Sequence, residues 1–157
     1  MEYVLDTSAL LTGRQFAGDL LTVPRVIEEL GRKGQSANEE SFLERVRVFL
    51  PSRESVARVA EAARGTGDDA RLSPADADLL ALAVERTATI VTDDYSIQNV
   101  ARVLAIPFVP LEQRGITEVR RWHRRCTGCG RYIETAGKEC PVCGSPVKTT
   151  RRPPGPP

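Results

Sequence analysis

The 157 residues are 41% apolar and 27% charged, the balance of a soluble globular chain with one ordinary domain and a small appendage. No long uncharged apolar run is present, which excludes a transmembrane helix and any membrane partner. The start, Met1-Glu2-Tyr3-Val4-Leu5-Asp6, has neither the basic region nor the long apolar run of a secretory signal, so the expected location is the cytoplasm. The net charge of +1 conceals an asymmetry. Residues 1–113 hold 12 Lys and Arg against 18 Asp and Glu, a balance of −6, whereas residues 114–157 hold 10 against 3, a balance of +7. A basic back half is suited to a polyanion. The acidic front half needs its own explanation, although most of its acids fit an ordinary solvated surface.

In chain order, Tyr3-Val4-Leu5 reads as a short buried strand ended by Asp6. Val23-Pro24-Arg25 opens a helix with Pro at a permitted early position, and Gly31 and Gly34 are expected to end it. A further helix is predicted over 38–45, a strand over 46–50 stopped by Pro51, and an Ala- and Val-rich helix over 54–64. Residues 65–69 form a loop. Ser73-Pro74-Ala75-Asp76 is a helix start, with Ser at the cap and Pro in the first turn, and that helix runs to about Arg86. Thr89-Ile90-Val91-Thr92 is a β-branched strand, 96–104 a helix, and 106–109 the last short strand. Strands separated by helices imply crossovers and a parallel sheet covered on both faces. Such sheets carry their ligand crevice at the C-terminal ends of the strands.

Four acids fall where that crevice is expected. Asp6 ends the first strand and is followed by Thr7 and Ser8; it is equally placed to cap the next helix. On the helix after Pro24, Glu29 lies nearer the apolar stripe of Val26, Ile27 and Leu30, whereas Glu28 shares the charged face with Arg25 and Arg32. Asp76 sits below Leu79, Leu80 and Ala83, while Asp78 aligns with Leu82 and Glu85. Asp76 also fits a capping box with Ser73. Asp93 and Asp94 follow a strand directly, as turn-forming acids also do. Each acid has an ordinary explanation alone. Delivery of acids by four separate elements to one rim is better explained by hard divalent cations such as Mg²⁺, which take carboxylate oxygens and water. Such ions would run phosphodiester hydrolysis by activating water and steadying the leaving oxygen.

All four cysteines lie in the last third, in two half-sites, Cys126-Thr127-Gly128-Cys129-Gly130 and Cys140-Pro141-Val142-Cys143-Gly144. Each Cys-x-x-Cys turns two thiolates toward one point, and the following Gly accepts a positive φ. Two half-sites close a tetrahedral four-thiolate site for one structural Zn²⁺ with no open position for water. A redox pair, a disulfide pair or a rubredoxin-type iron centre are the alternatives; duplication of the half-site and a cytosolic setting favour zinc.

Leu5-Asp6-Thr7-Ser8, Pro24-x-x-Ile27-Glu28-Glu29-Leu30, Leu72-Ser73-x-x-Asp76 and Val91-Thr92-Asp93-Asp94 resemble, in order, the four acidic motifs of PIN-domain nucleases. The resemblance spans about residues 3–110. It implies Asp6, Glu29, Asp76 and Asp94 as metal-binding catalytic acids, with Asp93 supporting or substituting. The run from Thr92 to Val100 and the connector from Trp122 to Cys126 resemble, more narrowly, the archaeal Nob-type endonucleases, which mature the 3′ end of small-subunit rRNA. That likeness covers nearly the whole chain. It implies catalytic Mn²⁺ or Mg²⁺, a precursor small-subunit rRNA in a ribosomal precursor particle, and an assembly-factor protein as a further partner. Gln98 and Asn99 either act near the site or take capping or surface roles.

The expected organisation is therefore α/β: a PIN-like parallel sheet flanked by helices over 1–110, a basic connector over 111–121, a small four-cysteine zinc ribbon over 122–148 and a disordered Pro-rich tail over 149–157. Arg114, Arg120, Arg121, Arg124, Arg125, Arg131, Lys138, Lys148, Arg151 and Arg152 are candidates for phosphate contacts. Trp122, His123 and Tyr132 are candidates for base stacking, although Trp122 suits packing between the two modules better. The expected activity is metal-dependent endoribonuclease cleavage of RNA. The alternatives are a toxin-type PIN ribonuclease, against which the ribbon argues, and a non-catalytic RNA-binding assembly factor, against which the full set of acids argues.

Overall fold

The structure is a computed structural model and describes residues 1–33, 42–134 and 137–151. In the front part, β1 (Glu2–Leu5), β2 (Asp19–Thr22), β3 (Val46–Val48), β4 (Thr89–Val91) and β5 (Phe108–Val109) form one sheet in the order β3-β2-β1-β4-β5. Every neighbouring pair is parallel. The interleaved helices are α1 (Thr7–Thr12), α2 (Pro24–Lys33), α3 (Arg53–Thr66), α4 (Pro74–Arg86) and α5 (Tyr95–Val103). The expected parallel α/β architecture is therefore present. Among the described residues, no helix is long and apolar enough to cross a membrane.

The strand order determines where a site can form. From β1 the chain winds outward to β2 and β3, then returns to place β4 on the other side of β1. The connections leaving β1 and β4 thus diverge, and a crevice opens between the C-terminal ends of those two strands. Asp6 follows β1 and Asp93 and Asp94 follow β4, with Leu5 paired to Val91. The sheet interior is a continuous apolar set, with Val4, Leu5, Leu20, Leu21, Ile90 and Val91 buried. Helix α4 is buried nearly all round: Leu79, Leu80, Ala81, Leu82 and Ala83 are each at most 1% exposed. It forms the central helix, and its N-terminus, held by a capping box between Ser73 and Asp76, is fixed in position at the rim.

Several elements differ from the sequence expectations. Strand β2 was not anticipated, because Leu20-Leu21-Thr22-Val23 is buried throughout and shows no alternation. Helix α2 continues through Gly31 to Lys33, since nothing lies within 4 Å of the position a side chain would take there and the backbone stays helical. The helix expected over 38–45 and the stop expected at Gly34 fall largely outside the described residues.

The back part is a three-stranded antiparallel sheet in the order β7-β6-β8, with β6 (Trp122–Cys126), β7 (Tyr132–Ile133) and β8 (Val147–Arg151). Strand β8 pairs along all of β6 and so carries the ribbon to Arg151, beyond the boundary expected at 148.

The connector between the parts is strapped to the front domain. Asp93 accepts the N–H groups of Leu111, Glu112 and Gln113. The Gln98 side chain accepts from Ile116 N–H at 3.0 Å and donates to the Thr92 carbonyl at 2.9 Å. Asn99 accepts from Arg120 N–H and donates to Arg120 C=O, both at 2.6 Å. The Arg102 guanidinium donates to the Ile116 carbonyl, and Ile116 itself is buried. Gly67 completes the joint. It has φ +80, and a Cβ there would lie 2.4 Å from the Trp122 carbonyl oxygen, so only glycine lets the start of β6 approach this closely.

Candidate active site

Each candidate acid is oriented by local structure. Asp6 is the N-cap of α1; its Oδ1 accepts from Ala9 N–H and from Ser8 Oγ, both at 2.7 Å. Glu29 Oε2 accepts from Thr7 Oγ1 at 2.9 Å, which ties α2 to the residue after Asp6. Asp76 Oδ2 accepts from Ser73 N–H at 2.8 Å. Asp94 is the N-cap of α5; its Oδ1 accepts from Ser96 and Ile97 N–H. All four carboxylates therefore share one pattern. One oxygen is anchored by the hydrogen bond that fixes the side chain, and the other has no partner among the described residues.

Electrostatics link the acids as neighbours. Burial pushes the Asp76 carboxyl above its ordinary range, hydrogen bonding with Ser73 opposes this, and the charges of Asp94 and Glu29 add to the rise. Asp76 thus feels the charges of both other acids across the rim. Four elements thus each present a half-anchored carboxylate, although among the described residues these acids do not bring three ligand atoms within 4.8 Å of one another as the cysteines do.

Two further acids take different roles. Asp93 uses both oxygens on the backbone of 111–113, which leaves it as the clasp of the connector. It sits beside Asp94 in sequence but does not share its half-anchored arrangement. Asp78, the alternative to Asp76 on α4, is buried and paired with the Arg25 Nε at 2.8 Å. Glu28 is exposed, whereas Glu29 is half-buried. Gln98 and Asn99 are both fully buried and hold the connector; neither caps a helix nor faces solvent.

Sequence reasoning gave no role to Asp68, which is 0% exposed. Its Oδ2 accepts from Thr66 Oγ1 at 2.7 Å and from Asn99 Nδ2 at 2.6 Å, while its Oδ1 has no partner. No local signal separates Asp68 from Asp69 in a Gly-rich loop; only the long-range contact to Asn99 does so.

The four cysteines converge as their spacing predicts. Their sulfurs all lie within 4.8 Å of one another, the one such metal-ligand set among the described residues. Cys126 Sγ is 3.4 Å from Cys143 Sγ, and Cys129 Sγ is 3.8 Å from Cys140 Sγ. A tetrahedron with metal–sulfur bonds of about 2.3 Å has sulfurs about 3.8 Å apart, so the set fits a metal ion. Gly130 and Gly144 take φ +72 and φ +71, as each half-site requires. Ser145 draws the Cys143 thiol down to about 6 through its hydroxyl and N–H, while the crowding of the other thiols pushes Cys129 up to about 11.

The family described as the PIN domain of ribonuclease matches residues 3–85. The endoribonuclease Nob1 of Pyrococcus abyssi is 40% identical over 156 residues, covering 97% of this chain and 95% of the relative. The chain belongs to the Nob1 endoribonuclease family. It is accordingly a nuclease with an RNA substrate. The ribonuclease VapC1 of Thermoplasma acidophilum is 41% identical over 150 residues, covering 94% of this chain and 77% of the relative. A protein named 20S-pre-rRNA D-site endonuclease, from Schizosaccharomyces pombe, is 35% identical over 86 residues, covering 52% of this chain and 22% of the relative.

Much of the basic surface of this Nob1-family chain is engaged internally. Arg151 pairs with Glu118 at 2.7 Å, Arg125 donates to the Gly130 carbonyl and Arg124 to the Gly137 carbonyl. Arg120 lies over the Tyr95 ring, and His123 meets Tyr132 edge to face. Trp122 packs between the modules, under Arg71 and against Gly67. Arg114, Arg121, Arg131, Lys138 and Lys148 are exposed. Arg152 lies outside the described residues.

Proposed function

We propose that this nuclease hydrolyses precursor small-subunit rRNA at or near its 3′ end, within a ribosomal precursor particle in the cytoplasm. The observation that carries the chemistry is the shared pattern at Asp6, Glu29, Asp76 and Asp94, one oxygen anchored and one open. These four would hold Mg²⁺ or Mn²⁺. A bound divalent ion would supply Lewis acidity at the phosphate and a water of lowered pKa. The residues themselves supply position. Their anchored oxygens keep the carboxylates from turning away under mutual repulsion, so the rim is preorganised for cations and for the phosphate they attract.

The alternative route, attack by the substrate's own 2′-OH, relies on imidazole or amine groups to move protons. The single histidine, His123, lies in the ribbon against Tyr132. The front domain offers carboxylates instead, so the expected products carry a 5′-phosphate and a 3′-OH. The four thiols would hold one structural Zn²⁺ that folds the ribbon. The relative named as a pre-rRNA endonuclease supports the rRNA substrate. An assembly-factor protein is the expected further partner.

The test is cleavage of an RNA spanning the 3′ end of the small-subunit rRNA, with and without Mg²⁺ or Mn²⁺, followed by mapping of the product ends. Metal-dependent cuts with 5′-phosphates support the proposal. Cyclic 2′,3′-phosphate ends, or undiminished cleavage without divalent ions, refute it.

A further inference from the structure

We propose that Arg71, held over the Trp122 ring, is the phosphate clamp that seats RNA beside the acidic rim, gripping a phosphodiester next to the scissile one. This rests on the nuclease reading above and names a substrate-positioning residue for it. An open cleft of about 560 Å³ adjoins the rim and is lined by Arg71, Asp93, Asp94, Tyr95, Ser96 and Gln113. Among the described residues, Arg71 is its one cationic wall residue. Asp94 places an open catalytic-rim oxygen in the same cleft, so a strand crossing the cleft passes both.

Arg71 differs from an ordinary surface arginine in how it is held. Its backbone N–H donates to the Asp68 carbonyl at 2.8 Å, and Asp68 is fully buried. Its guanidinium carbon lies 3.9 Å from the centroid of the Trp122 ring, a close cation–π stack. Trp122 is fixed in turn by the start of β6 and by the close approach of Gly67. The contact with the ring restrains the guanidinium without using its N–H donors in a hydrogen bond. Among the described residues those donors have no hydrogen bond and no ion pair, even though the exposed Asp69 and the Asp94 carboxylate are nearby in sequence or in the cleft. A guanidinium already immobilised, permanently charged and with a free edge matches the fork geometry of a phosphodiester. Less side-chain freedom remains to be lost on binding than for a mobile arginine.

The position also meets an electrostatic need. The front half carries a net charge of −6, and RNA approaching the rim meets carboxylates first. A fixed cation on the cleft wall offsets that repulsion for the neighbouring phosphate while leaving the open carboxylate oxygens to metal ions. Because the Trp122 platform belongs to β6, the clamp is assembled only when the four-cysteine module is docked on the front domain.

The test uses the full zinc-loaded chain in an Asp6→Asn background for binding and in the wild-type background for cleavage. A short single-stranded RNA with one known cut site is titrated against Asp6→Asn, Asp6→Asn/Arg71→Ala and Asp6→Asn/Arg71→Gln. Glutamine keeps a planar group to stack on Trp122 but carries no charge, which separates charge loss from lost packing. Both Arg71 variants are expected to weaken binding about tenfold. They should also reduce the slope of log affinity against log salt by about 0.7, the loss of one phosphate contact on a single strand. In cleavage, the same substitutions should raise KM about tenfold and leave kcat within about twofold, the signature of an interaction made equally in ground and transition states. Single methylphosphonate substitutions then locate the contact. Neutralising one phosphate adjacent to the cut should cost the Arg71 protein about tenfold and cost the Arg71→Gln protein little. Equal affinity and salt slope in all three proteins, or a methylphosphonate penalty identical with and without Arg71, overturns the clamp. Failure of the wild type to cut RNA overturns the nuclease reading, which the binding comparison does not address.

Discussion

Replacing Asn99 by Leu should destabilise the protein by about 4 kcal/mol, although Asn99 touches neither the open carboxylate oxygens nor the cysteines. The side chain is 1% exposed and makes three hydrogen bonds of 2.6 Å, to Asp68 Oδ2, Arg120 C=O and Arg120 N–H. Leucine has similar volume, so little of the cost is a cavity. The two bonds to Arg120 backbone are worth about 1 kcal/mol each, and a bond to a buried carboxylate about 1.5–3 kcal/mol. The loss would leave Asp68 with Thr66 alone, because Oδ1 already lacks a partner. For a chain of this size, about 4 kcal/mol lowers Tm by roughly 8–16 °C. Urea unfolding of zinc-saturated protein, followed by tryptophan fluorescence, measures it, since the single Trp122 begins the strand next to Arg120. Combining Asn99→Leu with Asp68→Leu should cost at least about 1 kcal/mol less than the two changes summed, because the stranded charge is then removed. A cost below about 1 kcal/mol for Asn99→Leu, or strict additivity in the pair, would refute the idea that this buried network holds the connector.

Asp93 and Asp94 should separate cleanly: Asp94→Asn is expected to reduce cleavage at least about a hundredfold with little change in stability, since Asn remains a good N-cap, whereas Asp93→Asn should lower stability by about 1–3 kcal/mol through its lost charge-assisted bonds to 111–113; comparing kcat with urea midpoints for both variants checks this. Purified protein should contain one zinc per chain by elemental analysis, and its removal by a chelator should abolish protection of β6–β8 amides from hydrogen exchange while protection in α4 persists. Asp76 has a raised pKa in the folded chain, so its contribution to stability is present at acid pH, below the unfolded value, and is lost as pH rises through the folded value. In zinc-loaded protein without added Mg²⁺ or Mn²⁺, the wild type should therefore lose stability across that range, and Asp76→Asn should flatten this part of the pH profile of unfolding.

Sequence pattern revealed whatever depends on neighbours a few residues apart. The capping box at Ser73 and Asp76, the helical stripe that turns Glu29 rather than Glu28 inward, and the two cysteine half-sites are all short-range, and each is seen in the structure. Strand β2 was missed because a buried parallel strand shows a run of apolar residues with no period. Gly31 suggested a stop, yet a single exposed glycine costs a helix only about 1 kcal/mol, which the packed Val26 and Leu30 on α2 outweigh. The strap was invisible for another reason. Asp93, Gln98 and Asn99 reach partners 18–21 residues away, and those partners are backbone groups, which leave no mark on composition.

The adjacency of Asp93 and Asp94 gives the chain a mechanical property that its modular sequence conceals. One turn after β4 ends in two acids: the first grips the connector through 111–113, and the second keeps an open oxygen on the rim. The carbonyl of Thr92, just before them, accepts from the Gln98 side chain, which also holds Ile116. The link between rim and ribbon is therefore a few hydrogen bonds, buried at Gln98 and more open at Asp93, with Trp122 and Arg71 stacked across the same joint. A chain cut at 110 or 113 is expected to be less stable than the same residues in the full chain. The cut strips Ile116 from Gln98 and Arg120 from Asn99, leaving them Thr92 and Asp68, and removes the platform under Arg71. Cutting there would remove the bonds that position Gln98 and Asn99 and open these side chains to water, so weakened cleavage by a truncated front domain would report a loosened rim as well as a missing RNA grip. Substitutions in the strap and substitutions on the exposed ribbon surface separate those two causes, because the first should lower stability and the second should leave it unchanged.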